Sequence, residues 1–350
     1  MKLILFIITI ISPFFSLFLH LILFFFTKLS LLLIFSLSIV QGILVLTRSV
    51  PISGADDLHN YFYFYKTIPE LSFFEFFVFF RFEPVLYSLY YVLSFFDISI
   101  HGILFFNSLI TLFFFNYSFY LFVNYFNIPV FMFSLVVIFT PYELISNTPR
   151  LVFAMSFLLI SIVRINKSLY FILSILTHKL TFFIFLIYKF SRYKILMTLI
   201  LFTLYIFKEN LFSFLNYPIV YRLIYYIKQD SNSFSYSYLI ISILFLLLLI
   251  YNKSSNIKPI LLFSLFLSLF CFVLSPFGSL SIRLGCFLPI ILLLSLISVF
   301  KIQLTQLRLI VSFLTFPLLY FRLFHSISLN SHDLFSSNNY FFLLPWNLFL

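Results

Sequence analysis

Gly102–Val123 reads GILFFNSLITLFFFNYSFYLFV, twenty-two residues without one charge. A helix of that length matches the ~30 Å hydrocarbon core of a bilayer. A membrane strand would instead alternate apolar and polar positions over about ten residues, and this stretch does not alternate. Working outward, comparable runs recur at 3–26, 29–47, 84–97, 128–146, 150–164, 169–190, 195–208, 236–251, 259–275, 284–300 and 306–324. The expected fold class is therefore all-α, a polytopic integral membrane protein with about 10–12 transmembrane helices in a single transmembrane domain over 1–350. Two runs, Leu151–Val163 and Ile195–Phe207, are near the lower limit for crossing and fit re-entrant or broken segments.

Composition agrees. The chain is 63% hydrophobic and 9% charged, against roughly 25% charged in soluble domains, so it lacks the charge to cover a water-facing surface. Its 58 Phe and 5 Gly read as drift in a lipid-facing protein. The net charge of +11 suits contact with anionic lipid headgroups. Basic residues scattered at segment ends do not make a nucleic-acid surface. The two cysteines, Cys271 and Cys286, form no CxxC or Cys/His cluster, so no metal and no cofactor is expected. Met1–Phe26 has Lys2 and a long apolar run without a small-residue cleavage site, which reads as a retained first helix.

Three stretches are not span-like: 48–81, acidic and aromatic; 208–238, polar and Tyr-rich; and the tail 325–350. The short basic turn TKL at 27–29 is expected on the inner side, which puts the 48–81 loop outside. The basic stretches RINK (164–167) and KFSRYK (189–194) flank one apolar segment. The positive-inside rule cannot place both inside if that segment crosses.

Half of the ten acidic residues fall between Asp56 and Glu83: Asp56, Asp57, Glu70, Glu75 and Glu83. Glu70 and Glu75 read as solvated loop acids. Asp56 and Asp57 follow Gly54, and a helix begun at Asp57 puts Tyr61 at i+4 with Tyr65 one turn on. Carboxylates beside tyrosine rings resemble a sugar-binding surface, and a partly desolvated carboxylate suits a general base. Glu83-Pro84 reads as a helix start. In SNTPRLVFA (146–154), Pro149 breaks one helix and Arg150 opens the next, a placement suited to forking onto phosphate oxygens. His178 and Lys179 sit mid-run in LTHKLTFF, where ionisable groups are costly and point to a water-lined cavity. Arg283 is a further cation at a span start. His20, His101, His325 and His332 read as structural.

In order and spacing these motifs resemble the EpsG-like family of exopolysaccharide and O-antigen repeat-unit polymerases, the Wzy-type proteins. Arg48, Gly54-Ala55-Asp56 and Tyr61 match its first external loop. Glu83-Pro84, Asn147/Arg150/Ala154, His178 and Arg283 match its later motifs. Departures are Leu151 where Gln is usual and Lys179 where a small residue is usual. Gly-x-Asp selects Asp56, whereas the Asp-to-Tyr spacing selects Asp57. The resemblance implies a bacterial inner-membrane enzyme joining polyprenyl-diphosphate-linked glycans into a surface polysaccharide, with membrane lipids around it and no nucleic acid. It leaves open a chain-length regulator as partner. It implies Asp56 or Asp57 as activator of the acceptor hydroxyl, and Arg150 with Arg283 or His178 as stabilisers of the departing diphosphate. Arg48, Tyr61, Glu83 and Arg283 would bind substrate.

Two other readings stand beside it. A GT-C-type glycosyltransferase using a polyprenyl-phosphate sugar would also place acids in the first external loop, though such enzymes often carry a larger soluble domain. A lipid-linked oligosaccharide flippase would spread its charges over many spans, whereas here the acids cluster in one loop.

Overall fold

The computed structural model describes residues 13–26, 28–46, 57–79, 83–163, 167–178, 180–214, 235–252, 257–275 and 284–300, with positions 311, 314 and 317. Every regular element among them is helical, as the all-α expectation has it. The chain divides into two compact units, Met1–Thr181 with Gln303–Leu350, and Phe182–Ile302.

The first unit runs α1 (Pro13–Phe26), α2 (Leu31–Leu46), α3 (Asp57–Thr67), a 3₁₀ turn Ile68–Glu70, α4 (Phe73–Phe79), α5 (Pro84–Leu93) and α6 (Ile100–Tyr125). A second 3₁₀ turn, Val130–Met132, leads to α7 (Phe133–Ile138), α8 (Tyr142–Asn147), α9 (Pro149–Val163) and α10 (Lys167–Thr177). α6 contains the uncharged stretch Gly102–Val123. Ser99 caps it by accepting the Gly102 N–H at 3.2 Å. Asn127, with φ 51°, ends it in a left-handed turn that Asn tolerates. Ile128 N–H donates to Val123 O at 2.9 Å and Asn127 N–H to Asn124 O at 3.3 Å, the paired bonds of a Schellman stop.

α6 is the axis of this unit, with α2 and α9 packed along it. Against α2 the contact is polar and buried. Asn116 Nδ2 donates to Gln41 Oε1 at 2.7 Å and to Ser38 Oγ at 3.0 Å, and Gln41 Nε2 donates to the Tyr142 hydroxyl at 2.9 Å. A connected amide network fixes register where apolar packing alone would let helices slide. Against α9 the contact is aromatic, with Phe114 5.1 Å from Phe153 and 4.8 Å from Phe157. All of α9 except Arg150 is buried. Ser174 on α10 donates to the Ala154 carbonyl at 2.8 Å, a reach that a small residue at 154 leaves open.

Several expected spans are broken. The run 128–146 becomes a 3₁₀ turn and two six-residue helices. Pro129 and Pro141 lack the N–H a helix interior needs and push the residue before them out of the helical region. The run 169–190 breaks at His178, between α10 and α11 (Leu180–Phe190). The first polar loop is not irregular in its described part, since 57–79 carries α3, a 3₁₀ turn and α4. Among the described residues only α6 is long and apolar enough to cross a bilayer by length and composition, and the other apolar helices run 10–17 residues. The second polar loop lies mostly outside the described residues, as do the 306–324 run, except for three isolated positions, and the tail.

The second unit continues with α12 (Lys194–Phe214), α13 (Ser235–Tyr251), α14 (Lys258–Val273) and α15 (Leu288–Phe300). α13 and α14 pack along their lengths, with the Ser242 and Ser268 hydroxyls 2.8 Å apart. Gly285 accepts the Tyr238 ring so closely that a Cβ there would lie 2.4 Å from it.

Candidate functional site

Three helix starts converge in the first unit. Glu83 stands at the N-cap of α5 with Pro84 in the first turn. Arg150 follows Pro149 at the start of α9. His178 precedes α11, and its Nδ1 accepts the Leu180 N–H at 3.2 Å, so the ring itself caps that helix.

Arg150 ties the starts together. Its Nη1 donates to Glu83 Oε2 at 2.8 Å and its Nε donates to the Tyr61 hydroxyl at 3.2 Å. The guanidinium also lies 5.3 Å from the Tyr87 ring centroid and 5.6 Å from that of Tyr61, within cation–π range. His178 Nδ1 is 3.7 Å from Glu83 Oε1. The Glu83 side chain is 8% exposed, and that of Arg150 28%. A cation at a helix N-terminus opposes the helix dipole, and Glu83 offsets that. The remaining Arg150 donors face no protein acceptor among the described residues. One arginine and three helix starts thus gather around the Glu83 carboxylate.

Four expected site residues thus meet: Tyr61, Glu83, Arg150 and His178. They come from sequence positions up to 117 apart. Tyr61 enters differently from the expectation. Tyr61 and Tyr65 are each 3% exposed, packed with Tyr87, Tyr90 and Phe153 in one aromatic core. Their faces are interior and cannot stack on a sugar, so Tyr61 reaches the site through its hydroxyl. Tyr65 does structural work. Its hydroxyl donates to the Phe96 and Leu93 carbonyls and accepts the Ile98 N–H at 3.1 Å, holding the α5–α6 connection against α3.

Asp57 opens α3 in the backbone, one helical turn before Tyr61. Its side chain, with Asp56, Arg48, Lys179 and Arg283, lies outside the described residues. The Asn147 backbone closes α8. Sequence reasoning missed Tyr87, the ring beneath Arg150. Its signal was the i+4 spacing from Glu83, which puts both on one face of α5.

Outside the cluster Glu75 and Asp97 are structural. Ser72 and Glu75 form a capping box on α4, with Ser72 N–H donating to Glu75 Oε2 at 2.9 Å and Glu75 N–H to Ser72 Oγ at 3.4 Å. The Ser72 hydroxyl and N–H hold the Glu75 carboxyl below its ordinary range. Asp97 is lowered by its hydrogen bond from Lys66, at 2.8 Å, and by that ammonium's charge. Among the described residues no group of His, Cys, Asp and Glu is arranged to hold a metal.

Neither protein-family models, nor curated proteins, nor solved structures yield a match to this chain.

Proposed function

We propose that the chain is a polytopic α-helical enzyme of the bacterial inner membrane. It joins polyprenyl-diphosphate-linked oligosaccharide repeat units into a surface polysaccharide such as an O-antigen, capsule or exopolysaccharide. The observation that carries this reading is the Tyr61–Glu83–Arg150–His178 cluster. Four residues selected by separate motifs in the sequence converge on one side-chain cluster. Arg150, fixed by Glu83 and Tyr61, offers its remaining N–H groups to the diphosphate of the donor. The helix starts beside it stabilise the charge that grows as that group leaves. The acceptor hydroxyl attacks the anomeric carbon, the carbon–diphosphate bond breaks with its electron pair, and Asp56 or Asp57 takes the hydroxyl proton. The backbone of Asp57 opens α3 one turn, ~6 Å of helix rise, before Tyr61.

Broken and short helices suit this reading, because irregular backbone at membrane depth is tolerated where protein surrounds it or a cavity is lined.

The test is deletion of the gene in its native host, with the surface glycan sized and analysed by mass. A lost ladder with single complete repeat units left behind supports the polymerase. Restoration by the wild-type gene but not by Arg150→Ala ties the activity to the cluster. A repeat unit short by one sugar overturns the proposal in favour of a single-sugar transferase, complete units trapped on the inner face favour a flippase, and an unchanged glycan removes it.

A further inference from the structure

A second candidate site lies in the other unit. α12, α13 and α14 enclose an open groove of about 540 Å³. Its walls are apolar, with Leu239, Leu246 and Ile250 on α13 facing Leu262, Leu265 and Leu269 on α14. Ile250 and Leu246 are 69% and 48% exposed, so this surface awaits a cover. Two lysines line the groove, Lys194 and Lys258, each the first residue of its helix. Tyr205 on α12 stacks on Phe272 on α14, and Lys194 and Lys258, the first residues of these helices, line the same groove. Among the described residues no carboxylate lines the groove. Both ammonium groups sit at positive helix ends, an unfavourable placement that a bound anion relieves.

Length identifies the occupant. From Leu239 to Ile250, and from Lys258 to Leu269, each wall rises roughly 16 Å. That is about half of the ~30 Å bilayer core, one leaflet deep. We infer that the groove holds one acyl chain of an anionic glycerophospholipid, with its phosphate between Lys194 and Lys258. A polyprenyl chain is much longer than one leaflet and does not match these walls. The inference rests on the membrane placement proposed above, not on the polymerase chemistry.

The experiment starts from the full chain in carbonate-washed membranes, transferred to detergent and titrated with three probes under native mass spectrometry. The probes are phosphatidylglycerol, phosphatidylcholine of identical chains, and a polyprenyl phosphate. At about fivefold per lysine, phosphatidylglycerol is expected to bind about thirtyfold more tightly than phosphatidylcholine. The exposed double substitution Lys194→Gln/Lys258→Gln brings the two to parity. Leu246→Trp, which fills the groove, weakens both by the same factor. Equal wild-type affinities, preference for polyprenyl phosphate, or a lysine variant that keeps its selectivity each overturns the inference. A chain absent from the washed membranes removes the membrane placement as well, whereas a membrane-bound chain without lipid preference removes the groove alone.

Discussion

Glu83→Gln should destabilise the first unit by about 2–3 kcal/mol, and the reason is Arg150. Two unit charges about 4 Å apart at an effective dielectric of 20 attract by about 4 kcal/mol. The Glu83 side chain is nearly buried but that of Arg150 is 28% exposed, so solvent screening cuts the net value to roughly half. Gln keeps the shape and an acceptor while removing the charge, leaving the guanidinium beside Tyr61 and Tyr87 without its counter-ion. Arg150→Gln should cost a similar amount by removing the cation hydrogen-bonded to Glu83. The double variant should then lose less than the sum, with a coupling of about 2 kcal/mol, inside the range for residues in one network. Equilibrium unfolding in detergent micelles, followed by helical circular dichroism across the four proteins, measures this. A coupling below ~0.5 kcal/mol would refute the claim that this pair locks α5 to α9.

Tyr61→Phe removes the hydroxyl that Arg150 bonds and should cost about 1.5–3 kcal/mol, whereas Tyr61→Ala also opens a cavity and should cost about 3–5 kcal/mol; the same unfolding assay separates them. The α4 capping box should be pH-dependent. Because the folded Glu75 pKa lies below its unfolded value of about 4.3, its contribution is complete above that value and is lost as pH falls through the folded one. Amide exchange at the start of α4 should accelerate over that window in the wild type, and Glu75→Ala should abolish the dependence. In the second unit, Gly285→Ala places a Cβ against the Tyr238 ring and should cost about 1–3 kcal/mol. The loss should shrink in a Tyr238→Leu background, read by thermal unfolding.

Helix content and the site's main partners were legible for local reasons. Pro84 and Pro149 mark helix starts because proline is tolerated in a first turn, and Glu83 and Arg150 adjoin them. The pairing between them was not legible, since it depends on how α3, α5 and α9 pack. Pro129 and Pro141 were visible breakers, yet the apolar run around them suggested one span. The break at His178 has no proline or glycine behind it. It arises because the imidazole takes a backbone N–H that would otherwise face an orphaned helix end, a choice decided by side-chain geometry. The tyrosines of α3 misled for another reason. A Tyr-rich segment suits a wet surface and an aromatic core equally well, and here Tyr61 and Tyr65 pack inward while Tyr63 remains 61% exposed.

The bond between Glu83 and Arg150 spans 67 residues of chain, and that separation is also a delay. At ~5–20 residues per second of synthesis, Arg150 follows Glu83 by about 3–13 s. For that interval the carboxylate lacks the Arg150 guanidinium, so the bond that joins the starts of α5 and α9 cannot form. Nascent chains that stop short of Arg150 are therefore not closed folding units, and the first unit's assembly is timed by the arrival of α9.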